Sequence, residues 1–258
     1  DGHIINVFGG IPEEVVVARI VRWKRKRKHY TSGLVTKVLH SSPHRISAPC
    51  LYFGQCTGCQ WQHIDYRHQL ELKRRMVQKQ IHAFSELDDV FVSEPVPSTQ
   101  LFEYRNHARF TARRTGALGY INRISRNFVE VDKCMIMNRG INEVLQALQG
   151  HVGETSQVSV RHSMKTKQSL IQPVLQNEEI LIPSGQTHYE EILLGTKFRI
   201  ASPSFFQVNT EQAEQLLVLV RDRLHLSGTE TLVDAYAGVG NFTALLSSAV
   251  KKVIAIEE

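Results

Sequence analysis

The chain has 258 residues, 42% of them hydrophobic and 22% charged, with a formal net charge of +6. This is the make-up of an ordinary globular protein, large enough for one large domain or two to three small ones, and it excludes a low-complexity chain. No apolar run approaches the roughly 20 residues that a helix needs to cross a bilayer, and the opening residues do not read as a secretory signal.

Strands are expected at residues 3–8, 14–23 and 34–40. The β-rich runs Val15-Val16-Val17 and Leu34-Val35 are punctuated by Gly9-Gly10 and Ser32-Gly33. This suggests a small barrel, ended by Pro43 and Pro49. Arg22-Trp23-Lys24-Arg25-Lys26-Arg27-Lys28-His29-Tyr30 would form a hairpin tip with six cations in nine positions. A solvated turn accounts for such a run as well as phosphate binding does, but Trp23 and Tyr30 can stack on bases and favour RNA.

Residues 66–84 read as a helix, with Leu70, Val77, Ile81 and Phe84 on one face, Lys73, Arg74 and Lys79 off it, and Asp65 as N-cap. Residues 108–113, 128–131, 158–162 and 169–174 read as strands, and 141–148 as a helix. Near residue 201 the style changes. Asn209 precedes an amphipathic helix carrying Ala213, Leu216, Leu217, Val220 and Leu224, and Asn209 with Gln212 resembles a capping box. A strand (231–234), a glycine-rich turn, a helix (241–250) and a strand (253–256) then open a parallel βαβ unit. The chain begins with Asp1 instead of Met and ends just after that strand, so it is expected to be a piece of something longer.

The four cysteines are Cys50, Cys56, Cys59 and Cys134. Three of them form C-x5-C-x2-C, and a C-x2-C turn lets two thiolates reach one metal. Four thiolates suit either a structural zinc or a [4Fe–4S] cluster, and the spacing alone leaves the two about equal. Disulfides do not suit a basic chain of cytosolic character. The spacing also differs from the C-x3-C-x2-C of radical enzymes, which argues against cleavage of S-adenosylmethionine.

Asp234-Ala235-Tyr236-Ala237-Gly238-Val239-Gly240-Asn241-Phe242 follows a strand and opens a helix. Glu257 ends the next strand, where an acid can accept both ribose hydroxyls of a nucleoside cofactor. The turn lacks G-x-G-x-x-G and the Lys and Ser/Thr of a phosphate loop. It therefore suits a cofactor without a pyrophosphate, with S-adenosylmethionine the leading candidate. A generic α/β turn is the bland alternative.

Several segments in order resemble the RNA uracil-5-methyltransferase family, in particular its iron–sulfur members that act on 23S ribosomal RNA. They are Ser42-Pro43-His44-Arg45 leading to Pro49-Cys50, Phe53-Gly54-Gln55-Cys56-Thr57-Gly58-Cys59-Gln60-Trp61-Gln62-His63, Tyr104-Arg105-Asn106, Val131-Asp132-Lys133-Cys134, Ser204-Phe205-Phe206-Gln207-Val208-Asn209 and residues 233–242. The resemblance implies a multidomain α/β protein. Its parts would be a partial OB-like TRAM barrel (1–46), an iron–sulfur segment (47–66), a central α+β domain that supplies Cys134 (67–200) and the first βαβ unit of a Rossmann-like methyltransferase domain (201–258).

It further implies that Cys50, Cys56, Cys59 and Cys134 ligate a [4Fe–4S] cluster, with zinc as runner-up, and that Gln207, Tyr236, Asn241 and Glu257 contact S-adenosylmethionine. Gly238 and Gly240 would let the backbone approach the cofactor, and Asp234 would shape the turn or touch the methionine part. For Phe205 and Phe206, core packing weighs at least as much as cofactor contact. RNA would meet Arg22, Trp23, Lys24, Arg25, Lys26, Arg27 and Lys28. The partner would be 23S ribosomal RNA or, alternatively, transfer RNA, met by a cytoplasmic monomer with no membrane role.

In this family a cysteine thiolate adds to carbon 6 of uracil, carbon 5 then attacks the cofactor methyl, and a general base removes the carbon 5 proton. With all four cysteines assigned to the cluster, no catalytic residue is expected in this chain. Nucleophile and base are expected after Glu258. A non-catalytic RNA-binding module and a zinc-ribbon protein are the readings from other classes.

Overall fold

The computed structural model describes residues 5–25 and 28–258, which fall into two compact units: Asp1–Pro97 with Tyr120–Val129, and Ser98–Gly119 with Glu130–Glu258. The class is mixed α/β, as expected.

In the first unit β1 (Asn6–Phe8), β2 (Val15–Arg25) and β3 (Lys28–His40) form a sheet in the order β1-β3-β2. β1 runs parallel to β3, and β2 antiparallel to it. Ser32-Gly33, read from sequence as a turn, lies inside β3. The glycine serves close strand approach instead, since a Cβ there would meet Val7 at 3.1 Å and Ala18 at 3.4 Å. The strand therefore starts six residues earlier than expected.

Glu14 holds this sheet to the segment that follows. Its side chain is fully shielded from solvent. The carboxylate accepts from Arg45 Nε and Nη2, both at 2.6 Å, from the Ile11 N–H at 2.9 Å and from the Ser42 N–H at 3.1 Å. Arg45 Nη2 also donates to the Gly9 carbonyl at 2.7 Å.

α1 (Tyr66–Ile81) begins as predicted, with the Asp65 carboxylate accepting from the Arg67 and His68 N–H groups. Its expected apolar face is not buried, however. None of its residues is buried, Val77 is 50% exposed and the nearby Phe84 62%.

The second unit is built on β4 (His107–Ala112), which pairs antiparallel with the start of β5 (Leu118–Ile121) and with β7 (Gln157–His162). β7 in turn pairs with β8 (Ser169–Gln172). The residues between β5 and β6 (Phe128–Glu130) belong to the first unit. α2 (Arg139–Leu148) packs on β7 and buries Ile141, Leu145 and Leu148 completely, alongside Phe110, Val158 and Val160. β8 stops short of its expected end because Pro173 has no N–H for the ladder.

The hairpin of β9 (His188–Leu193) and β10 (Thr196–Ala201) was not anticipated. Its turn, Leu194-Gly195, has φ of 46° and 82°, which matches strand twist. Its alternation is masked by Glu191, a carboxylate 1% exposed in the middle of a buried strand face. Burial raises the pKa of that carboxyl.

α3 (Thr210–Leu224) lies beside the hairpin. The Asn209 Oδ1 accepts from the Gln212 N–H at 3.1 Å, the expected cap. Of its predicted apolar face only Ala213 and Leu217 are buried, and Leu216 and Leu224 remain 45% and 43% exposed. The parallel pair β11 (Thr231–Ala235) and β12 (Lys252–Ile256), bridged by the short helix α4 (Asn241–Leu246), completes the fold. One apolar cluster joins these parts. Leu170, Tyr189, Leu193, Phe198, Ile200, Phe206, Ala213 and Leu217 form it, and Val239, Phe242 and Leu245 pack against it.

Arg45→Ala is predicted to destabilise the first unit by about 2 kcal/mol, less than for a fully buried pair because Arg45 keeps some solvent contact. Arg45 holds the Glu14 carboxyl down at about 2. The stability contributed by Glu14 is thus complete above about pH 4.5 and is lost as the pH falls toward 2. Thermal melts of the chain and of Glu14→Gln at pH 7 and pH 2.5 should show a gap that narrows in acid.

Candidate functional site

The turn between β11 and α4 has the stronger geometry. Three of its residues adopt left-handed backbone: Tyr236 (φ 63°), Gly238 (φ 59°) and Gly240 (φ 81°). Glycine takes this conformation at no steric cost, whereas tyrosine is strained in it, and such strain concentrates at binding sites. The ring of Tyr236 is 88% exposed. The turn is closed by the Ala237 N–H donating to the Ile256 carbonyl at 3.0 Å and the Gly240 N–H to the Ala237 carbonyl at 2.9 Å.

The acid expected for the ribose is at hand, since Glu257 Oε2 accepts from the Gly238 N–H at 2.7 Å. A Cβ at Gly238 would have nothing within 4 Å, so the turn leaves open space on that side. Asn241 Oδ1 is a buried acceptor with no hydrogen-bond partner in the structure. Asp234, given two alternatives by sequence, shapes the turn. Its Oδ2 accepts from the Thr243 N–H at 3.0 Å and from Thr243 Oγ1 at 2.6 Å, anchoring the first turn of α4. Thr243 was not singled out, although a hydroxyl nine residues after an acid that ends a strand is the signal that could have found it.

Gln207 follows a residue that is packed in the core. Phe206 is 2% exposed and lies in the cluster against which Val239 and Phe242 pack. Its neighbours Phe205 (72% exposed) and Gln207 face outward. Phe206 is thus a core residue and Phe205 a surface one. An acid, an orphaned amide oxygen and an exposed aromatic ring at this turn suit a nucleoside sulfonium with a ribose, an amino acid tail and no phosphate.

The cysteines are all half-buried thiols. Cys50, Cys56 and Cys59 lie in the first unit and Cys134 in the second. Residues 44–46 pair with 63–65, through the Ile46 N–H to the His63 carbonyl at 3.0 Å and the Asp65 N–H to the His44 carbonyl at 2.9 Å, so 47–62 leave and return through one neck. Inside it the Cys56 N–H donates to the Tyr52 carbonyl at 2.7 Å and the Phe53 N–H to the Cys50 carbonyl at 3.0 Å. Asn122 Nδ2 donates to the Gln55 carbonyl at 2.7 Å, and the Arg123 N–H to Thr57 Oγ1 at 2.9 Å. In the second unit the side chain of Asn142 holds both the N–H and the carbonyl of Cys134, at 2.8 and 3.1 Å.

Among the described residues no three His, Cys, Asp or Glu side chains are gathered as metal ligands. The loop is shaped by hydrogen bonds of its backbone.

Of the basic run, Arg22 is exposed, Arg22–Arg25 belong to β2 and Lys28 to β3, and Arg25 pairs with Lys28. Lys26 and Arg27 lie outside the described residues. No helix among the described residues is long and apolar enough to cross a membrane.

No family model matches the chain. A protein of Gloeobacter violaceus named an uncharacterized RNA methyltransferase is 29% identical over 312 residues, covering all of this chain and 68% of its own length. Another so named, of Halalkalibacterium halodurans, is 27% identical over all of this chain and 67% of its own. Both relatives are named as RNA methyltransferases. Among solved structures, the Pyrococcus abyssi tRNA (uracil-54, C5)-methyltransferase in complex with S-adenosyl-L-homocysteine shares the fold, with a TM-score of 0.70 and 23% identity. The match covers 93% of this chain and 65% of that one. The chain thus spans about two thirds of the proteins it resembles.

Asp234→Ala should cost about 1–2 kcal/mol, because two bonds into α4 are lost together. Glu257→Ala at the exposed mouth should stay within about 0.5 kcal/mol of the parent. Chemical denaturation curves of the two variants check this difference.

Proposed function

We propose that the chain is the cofactor-binding and RNA-binding part of an S-adenosylmethionine-dependent enzyme that methylates carbon 5 of uracil in structured RNA, with 23S ribosomal RNA as substrate. The observation that carries this reading is the strained turn 234–241 between two parallel strands, with Glu257 drawn to its Gly238 N–H at 2.7 Å. When bound, S-adenosylmethionine supplies an electrophilic methyl group. This chain's residues bind and orient it. Glu257 offers a carboxylate to the ribose hydroxyls, Asn241 and Gln207 offer amides, Tyr236 an aromatic face, and Gly238 and Gly240 keep that wall low. Asp234 acts through Thr243 by holding α4 in place. The basic β2–β3 hairpin supports RNA as the macromolecular partner, since its cations can neutralise phosphates. Transfer RNA is the alternative substrate, favoured by the solved structure that shares the fold.

The thiolate that would add to carbon 6 is not among the four cysteines if these serve a metal site, so this part binds and presents without completing the reaction. The [4Fe–4S] cluster, with zinc as runner-up, rests on the family resemblance of the cysteine segments, and no step here passes through it. Metal analysis decides it: about four irons per chain supports the cluster, about one zinc the runner-up, and neither removes a metal site.

The test of the main reading is calorimetric titration of the chain with S-adenosylhomocysteine. One site is expected, weakened at least about tenfold by Glu257→Ala. No heat of binding, or binding that is indifferent to Glu257, would reject it.

A further inference from the structure

We propose that Asn106 is a positioning residue for Gln207, an inference that rests on the reading of Gln207 as a cofactor contact. Asn106 is 3% exposed. Its Nδ2 donates to the Gln207 carbonyl at 2.9 Å and to Thr210 Oγ1 at 3.0 Å. Its backbone N–H donates to the Val208 carbonyl at 2.9 Å, and its carbonyl accepts from the His162 N–H at 3.0 Å. One buried residue thus ties the end of β7 and the approach to β4 to residues 207–210. A primary amide fits this place. The Gln207 carbonyl can only accept, so its partner must be an N–H, and two N–H groups facing two acceptors fix the orientation of the amide plane.

The stretch is pinned at two further points. Arg161, 5% exposed, donates from Nη2 to the Ser204 carbonyl at 2.6 Å, and Arg105 bridges to Asn209. Between these pins exposure alternates: Phe205 out, Phe206 into the core, Gln207 out. The Gln207 carbonyl is turned inward onto Asn106 while its side chain is turned outward. If the Gln207 peptide rotated, the direction of its exposed side chain would change with it. Asn106 therefore acts on the cofactor through Gln207 without touching it.

A double-mutant cycle in the full chain tests this, with S-adenosylhomocysteine as the titrant and thermal melts by circular dichroism confirming that each variant is folded. Asn106→Ala is expected to weaken binding about tenfold when Gln207 is present and less than about twofold in the Gln207→Ala background. Thr210→Val removes only one acceptor of the Asn106 amide and carries the test should Asn106→Ala fail to fold. It is expected to weaken binding about threefold, again only with Gln207 present. A loss of the same size in both backgrounds overturns the proposal and leaves the cofactor site standing. Undiminished binding by Gln207→Ala overturns it by removing Gln207 from the site. A parent chain that takes up no S-adenosylhomocysteine rejects the functional reading itself.

Discussion

The carboxylate of Glu257 meets the backbone N–H of Gly238 at 2.7 Å, tying the residue after β12 to the turn that leaves β11. The contact forms only because the two strands run parallel and in register, Asp234 beside Ala255 and Ala235 beside Ile256. It also needs a turn that passes through left-handed backbone at residues 236, 238 and 240. Asp234 secures the other side of the same turn by bonding Thr243. Two acids thus brace one loop, Asp234 toward α4 and Glu257 toward the open mouth. The division suits their exposures, Asp234 half-buried and Glu257 exposed. A carboxylate left at the mouth is available to a ligand in a way that a helix-anchoring one is not.

Gln207 depends on a different kind of bond. Its backbone is held by polar partners while its neighbour Phe206 is sunk in an apolar cluster, and Val239 and Phe242 lean on that cluster from the turn. Burial is non-directional and brings segments together. The amide of Asn106 and the guanidinium of Arg161 add the direction. The buried charge of this region has a cost. Glu191, Tyr189 and Arg161 are buried together, and burial pushes the Tyr189 hydroxyl up to about 12. Such a network specifies one arrangement more than it stabilises it.

Much of this was legible in the sequence, for local reasons. The caps at Asp65 and Asn209 are short-range hydrogen bonds that the residue types announce, and both formed. The β11–turn–α4–β12 unit carries its own punctuation in Gly238 and Gly240. What sequence could not show is long-range. Ser32-Gly33 looks like a turn until Val7 and Ala18 close over the glycine. The β9–β10 hairpin hides behind Glu190 and Glu191, because a buried carboxylate in a strand breaks the alternation on which the reading depends. Periodicity correctly placed the helices 66–81 and 210–224, but it overstated how much of each apolar face is covered. The role of Asn106 is also invisible locally, since its partners lie about a hundred residues away.

The most direct test of the central claim is to titrate the isotopically labelled chain with S-adenosylhomocysteine and follow backbone amide resonances. Ligand at this turn must alter the Gly238 N–H, whose present acceptor is the acid that would turn to the ribose, together with those of Gly240 and Asn241. Saturable shifts centred on these three amides are the predicted result. Shifts centred elsewhere in the chain, with these three unmoved, would contradict it.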